Sequence, residues 1–169
     1  GGVSLRGEGG APAGTLIRGM KGHGVEALQL ALGRAGFELE ASGFFDEVTG
    51  ERVADFQRSV GLRPTGQADV NTRIYLSWAR ILDGAERLQL GGRGLAVRRL
   101  RELLGVVSKS EERASIFDDA CDAAVRAFQV SVRLNPDGVM GAQAATHLEW
   151  REVRTGKLEL QPGRRGPVV

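Results

Sequence analysis

Val53-Ala54-Asp55-Phe56-Gln57 and Val125-Arg126-Ala127-Phe128-Gln129 are one frame, Val-x-x-Phe-Gln, written twice at a separation of 72 residues (125 − 53). The separation persists outward from this pair without a gap. It joins Val25 to Val97, Leu28 to Leu100, Leu32 to Leu104, Phe45-Asp46 to Phe117-Asp118, Leu62 to Leu134, Pro64 to Pro136, Gly66 to Gly138, Leu76 to Leu148 and Trp78 to Trp150. Roughly 19 of about 60 aligned residues are identical, several times the level expected by chance, so the chain is a tandem of two homologous units.

Inside each unit the apolar period is helical. Val25, Leu28 and Leu32, like Val97, Leu100 and Leu104, stand at i, i+3 and i+7 and share one face of a first helix, with Gly22 and Gly24 before it and Gly36 after it in the first copy. Val53, Phe56 and Val60, matched by Val125, Phe128 and Val132, predict a second helix. Asp46 and Asp118 stand just ahead of it, where a carboxylate accepts orphan N–H groups of the first turn. A third helix is signalled by Ile74, Leu76 and Trp78 and by Ala144, Leu148 and Trp150, each after a turn at Pro64-Thr65-Gly66 or Pro136-Asp137-Gly138.

The expected fold is therefore all-α, with two tandem three-helix units over residues 15–82 and 83–155, a flexible N-terminal segment over 1–14 and a flexible C-terminal linker over 156–169. A unit of about 65 residues buries only about 60% of its unfolded surface, so the two are expected to pack together through the third helix and the Asp83–Leu90 connection.

Composition narrows the function classes. The 169 residues are 41% hydrophobic and 26% charged, the profile of a folded globular chain. A net charge of +2 is far from the basic footprint of a nucleic-acid binder, so no nucleic-acid partner is expected. One cysteine and two histidines exclude an internal disulfide and a Cys/His zinc site, and no metal or cofactor is expected. No apolar run approaches the roughly 18 residues of a membrane span, so no membrane partner is expected either. His23 and His147 lie outside any catalytic motif, and no catalytic residue is assigned.

The order Gly-x-x-Gly-x-x-Val-x-x-Leu-Gln, Gly-x-Phe, Thr-x-x-x-Val-x-x-Phe-Gln-x-x-x-Gly-Leu and Asp-Gly-x-x-Gly resembles the three-helix bacterial peptidoglycan-binding module often attached to cell-wall hydrolases. The first copy supplies Gly19, Gly22, Val25, Leu28-Gln29, Gly43, Phe45, Thr49, Val53, Phe56-Gln57 and Gly61-Leu62. The second supplies Gly91, Gly94, Val97, Leu100, Phe117, Val125, Phe128-Gln129, Leu134 and Asp137-Gly138-Val139-Met140-Gly141. The stretch from Phe117 to Gln129 is similar to the tandem modules that precede the catalytic domain of actinobacterial N-acetylmuramoyl-L-alanine amidases. Cys121 departs from the pattern by replacing the threonine matched at Thr49, and the turns Ser42-Gly43, Ala114-Ser115 and Thr65-Gly66 lack the family's aspartate.

The resemblance implies a non-catalytic module that recognises peptidoglycan, through its glycan or its stem peptide, and targets a wall hydrolase to its substrate. The alternative is a protein-interaction or regulatory module on the same fold with a protein partner. The first reading places the chain in the cell wall or outside the cell, the second in the cytoplasm. Because turns reach solvent while the apolar stripes belong to the core, the candidate ligand-binding residues are Ser42, Asp46, Arg52 and Thr65 in the first copy and Asp118, Arg126, Asn135 and Asp137 in the second. Several other features have structural readings. Gln57 and Gln129 are expected to tie down a neighbouring turn, Cys121 to be inert, and Trp78 and Trp150 to pack in a core or between the units. Arg98, Arg99 and Arg101 are expected to form a solvated basic stripe, and Asp118, Asp119 and Asp122 to favour a helix N-terminus.

Overall fold

Six helices make up the regular structure of residues 14–154, the part of the chain that the computed structural model describes. They are α1 (His23–Arg34), α2 (Glu47–Ser59), α3 (Val70–Leu82), α4 (Leu95–Leu104), α5 (Asp119–Ser131) and α6 (Ala142–Arg154), with a 3-10 turn at Arg113–Ser115 before α5. The architecture is all-α, as the periodicity predicts. The expected flexible segments at 1–14 and 156–169 lie outside the described residues, apart from Gly14.

The 72-residue repeat is carried into the backbone. Shifting α2 and α3 by that interval gives the limits of α5 and α6, and the isolated bridges Leu16–Ala68 and Lys21–Phe44 become Leu88–Met140 and Arg93–Ile116. The first helix of each unit is opened by a glycine, Gly22 at φ 129° and Gly94 at φ 138°, values that a Cβ would strain. Their N–H groups bond the carbonyls of Gly43 and Ser115. One glycine was misplaced by the sequence reading, since Gly24 lies inside the first turn of α1 rather than before it. Asp46 and Asp118 cap α2 and α5 as expected, accepting from the N–H groups of Thr49 and Cys121.

The chain divides into two compact units between Leu76 and Ser77, within α3. In the first, Val25, Leu28, Leu32, Phe45, Val53, Phe56, Ala68 and Leu76 are buried, and Phe37 meets Phe56 edge to face at 5.8 Å. In the second, Val97, Leu100, Phe117, Cys121, Val125, Phe128, Met140 and Leu148 form the core, together with Trp78 and Ile81 from the last turns of α3. Those two residues explain why the division falls ahead of residue 82: their apolar surface is buried in the second unit. Leu104 is only partly buried where its counterpart Leu32 is fully so, because α4 stops at Leu104 whereas α1 continues two residues past the equivalent position.

Candidate functional site

A buried glutamine organises each exposed turn. Gln57, on α2, accepts from the Gly66 N–H at 3.0 Å and donates to the Gln67 carbonyl and the Thr72 hydroxyl, both at 2.9 Å. Gln129, on α5, accepts from the Gly138 N–H at 3.0 Å and donates to the Val139 carbonyl and to Asp137. One amide thus meets both an N–H and a C=O of the turn backbone, which water would otherwise have to satisfy. These two recur at the 72-residue interval; a third glutamine, which the repeat does not mark, acts in the same way. Gln29, on α1, accepts from the Gly43 N–H at 2.8 Å and donates to the Phe44 carbonyl and the Thr49 hydroxyl. The available signal was a recurring Asp-x-x-Thr: Asp46 and Thr49 beside the Gln29 turn, Asp69 and Thr72 beside the Gln57 turn, each aspartate accepting from the threonine N–H and hydroxyl.

The eight residues expected to meet a ligand fall into two groups. Four have their polar atoms committed within the protein. Asp46 and Asp118 are helix caps, Arg52 donates to the Glu38 carbonyl at 2.9 Å, and Arg126 pairs with Asp122 at 3.0 Å and donates to the Pro136 carbonyl at 2.8 Å. The other four lie in exposed turns. Ser42 accepts from the Phe44 N–H, Thr65 from the Gln67 N–H and Asp137 from the Val139 N–H, while Asn135 offers its backbone carbonyl to the Asp137 N–H. Arg126 and the Asn135–Asp137 turn are brought together in the second unit through the Pro136 contact. Gly138 sits so tightly under Asp122 and Arg126 that a Cβ there would lie 2.5 Å from the Asp122 carboxylate.

Electrostatics follow these bonds. The Thr49 N–H, aided by the Thr49 hydroxyl, holds the Asp46 carboxyl below the usual aspartate range, and the Val139 N–H with the Gln129 amide does the same for Asp137. Partial burial works against the ionised form of Asp118, yet the Cys121 N–H and the Arg101 guanidinium outweigh it and bring the pKa down to about 2. Burial pushes the Cys121 thiol up, in keeping with an inert core side chain.

The expected solvated stripe of arginines is overturned. Arg99 and Arg101 are each 4% exposed. Arg101 reaches Asp118 at 2.9 Å and the Ile116 carbonyl at 2.9 Å, Arg99 lies against Glu102 and the buried Glu149, and Arg98 binds Glu111 and Ser115. A carboxylate or carbonyl meets each guanidinium, a pairing that counting charges along a helix does not reveal. Trp78 is buried as expected and its indole N–H donates to Glu149 at 3.1 Å.

The first unit also carries an open groove of about 650 Å³ between the last turns of α1 and the following loop. Leu30, Gly33 and Arg34 form one side and Glu38, Leu39 and Ala41 the other.

Comparison with protein families gives two matches to one model, the putative peptidoglycan binding domain, over residues 21–76 and 93–148. The matched segments begin 72 residues apart (93 − 21), in register with the repeat, and each spans the first two helices of its unit, the glutamine-held turns and the first half of the third helix. No curated protein and no solved structure matches the chain. With most of its length matched in two copies, the chain belongs to the putative peptidoglycan binding domain family.

Proposed function

We propose that the chain is a non-catalytic module that binds bacterial peptidoglycan and holds a cell-wall hydrolase, of the N-acetylmuramoyl-L-alanine amidase type, against its insoluble substrate. The observation that carries this reading is the tandem family match over both units. Two weak sites on one chain act on a repetitive polymer by effective concentration: once one unit is bound, the other meets its ligand at a local concentration far above that in solution. The proposed contacts are the exposed turn groups of Ser42, Thr65, Asn135 and Asp137, with Asp46, Arg52, Asp118 and Arg126 fixing the backbone that presents them. Hydroxyl and carboxylate groups on rigid turns suit sugar hydroxyls and peptide amides.

Co-sedimentation with purified insoluble peptidoglycan tests the proposal. The expected result is depletion of the chain from the supernatant with no release of soluble muropeptides. Absence of depletion at low salt would instead direct attention to a protein partner, and release of muropeptides would refute the non-catalytic assignment.

A further inference from the structure

The groove of the first unit holds chemistry that the rest of the fold does not use. Arg34 and Glu38 are exposed on opposite sides of it, and neither side chain has an ion-pair or hydrogen-bond partner among the described residues. Glu38 uses only its backbone carbonyl, which accepts from Arg52. Leu30, 47% exposed, lines the same groove with Leu39 and Ala41. The floor at Gly33 is open, since a Cβ there would meet nothing within 4 Å. A cation near a helix C-terminus is favoured by the helix dipole, which accounts for Arg34 alone. It does not account for an unpaired carboxylate across the groove or for the apolar surface left uncovered in it.

The equivalent place in the second unit has been rebuilt. Leu30, Arg34, Glu38 and Leu39 correspond to Glu102, Val106, Ser110 and Glu111. Glu102 is paired with Arg99 and Glu111 with Arg98 at 3.0 Å, so the acidic groups there are spent on the unit's own arginines. The combination of a free cation, a free anion and an apolar stretch in one groove belongs to the first unit.

We propose that this groove is a subsite for the peptide part of peptidoglycan, a proposal that rests on the wall-binding reading above. The free C-terminal carboxylate of a stem peptide meets Arg34, the free amine of its diamino residue meets Glu38, and alanyl methyl groups lie against Leu30, Leu39 and Ala41. Complementarity of charge selects this occupant over a glycan strand, whose hydroxyls would leave both charges unanswered.

The test uses the whole chain, titrated with a synthetic stem tetrapeptide carrying a free amine and a free carboxylate, and followed by backbone amide shifts. The expected shifts centre on Gly33, Arg34, Glu38 and Leu39. Amidation of the peptide's C-terminus or Arg34→Gln should each weaken binding about five- to tenfold, in the range of a partly exposed charged hydrogen bond. Gly33→Leu should block the groove while leaving the urea midpoint unchanged or raised, because glycine inside a helix is destabilising and a Cβ there would meet nothing within 4 Å. Shifts confined to other residues, or equal binding of the amidated peptide, would overturn the subsite. Sedimentation with peptidoglycan is measured on the same variants. If the polymer still binds while the peptide does not, the subsite fails and the wall-binding reading stands. If the peptide binds in the groove but the polymer does not, the groove takes free peptide only, which overturns the wall-binding reading and the subsite with it, and if neither binds both fail.

Discussion

Replacing Gln57 by Leu tests whether a single amide holds the second turn of the first unit. The substitution keeps most of the side-chain volume, so a cavity contributes little. It removes the hydrogen bond accepted from the Gly66 N–H and the contacts that the amide's two N–H groups share among the Gln67 carbonyl and the Thr72 and Thr65 hydroxyls. Thr65 and Gln67 are exposed and water replaces the amide there, at about 0.5 kcal/mol each. Gly66 is half-buried and Thr72 is buried, so their groups are stranded at about 1–1.5 kcal/mol each. Burial of the leucine returns about 1 kcal/mol, leaving a net loss of about 2–3 kcal/mol. That is a large part of the stability of a unit whose described residues run from 14 to 76, about 3–9 kcal/mol by the usual per-residue range. Urea unfolding followed by helical circular dichroism measures the loss, with hydrogen exchange at the Gly66 amide as the local readout. A loss below about 0.5 kcal/mol with unchanged protection of Gly66 would refute the clamp, since the turn would then be held by its backbone alone.

Phe56→Ala and Phe128→Ala should each cost about 3–5 kcal/mol in urea melts, because both rings are buried. Asp118→Asn keeps the helix cap but removes the charge that pairs with Arg101. With the folded pKa lowered to about 2 from 3.8, the charge stabilises fully above about pH 4 and its contribution is lost as the pH falls through 2. The wild type should therefore exceed the variant by about 1–2 kcal/mol at pH 7, allowing for partial exposure, and the two should converge near pH 2. Trp78→Phe should lower stability by about 1–2 kcal/mol, read from the urea midpoint, by removing the indole donor from buried Glu149. In sedimentation assays, the double alanine variant of Asp137 and Arg126 should lose more wall binding than that of Thr65 and Arg52, since the second unit has the fuller Asp-Gly-x-x-Gly turn; equal loss would contradict this ranking.

The fold was legible because its determinants are periodic. Val25, Leu28, Val53 and Phe56 and their shifted partners had to share helix faces, and all eight are buried. Asp46 and Asp118 could be read as caps because the signal is one residue at one place. The polar interior was less legible. Gln29 looked like part of a motif, yet its role depends on the loop at residues 42–44 returning to α1, a contact across 14 residues to which the Asp-x-x-Thr recurrence points only indirectly. Arg99 and Arg101 were misread for the same reason. Their partners Glu149 and Asp118 lie 50 and 17 residues away (149 − 99 and 118 − 101), and spacing along one helix cannot distinguish a solvated arginine from one buried against a distant carboxylate. The groove depends on where α1 ends relative to the next loop, and helix ends are the least certain feature of any sequence reading.

The comparison of Gln29 with Arg101 explains how the two copies diverged without losing their shape. In the first unit the amide at this position bridges the Phe44 carbonyl and the Thr49 hydroxyl, and Thr49 in turn bonds Asp46. In the second unit Cys121 stands in place of Thr49, and its thiol, a weak and long partner of the Ile116 carbonyl at 3.9 Å, is a poorer donor to Asp118 than a hydroxyl. Arg101 fills both gaps at once: it donates to the Ile116 carbonyl, the counterpart of Phe44, and pairs directly with Asp118, the counterpart of Asp46. The substitutions at 101 and 121 therefore compensate one another, and neither is neutral alone. Arg101→Gln in the second unit would leave an amide facing a sulfur, and Cys121→Thr would add a hydroxyl beside an arginine already paired with the aspartate. The double change Arg101→Gln with Cys121→Thr restores the bonding of the first unit. It should recover most of the stability lost by Arg101→Gln alone, a coupling of about 1–2 kcal/mol in a double-mutant cycle. Additive effects of the two changes would mean that the exchange of one network for the other was incidental rather than a single coupled step.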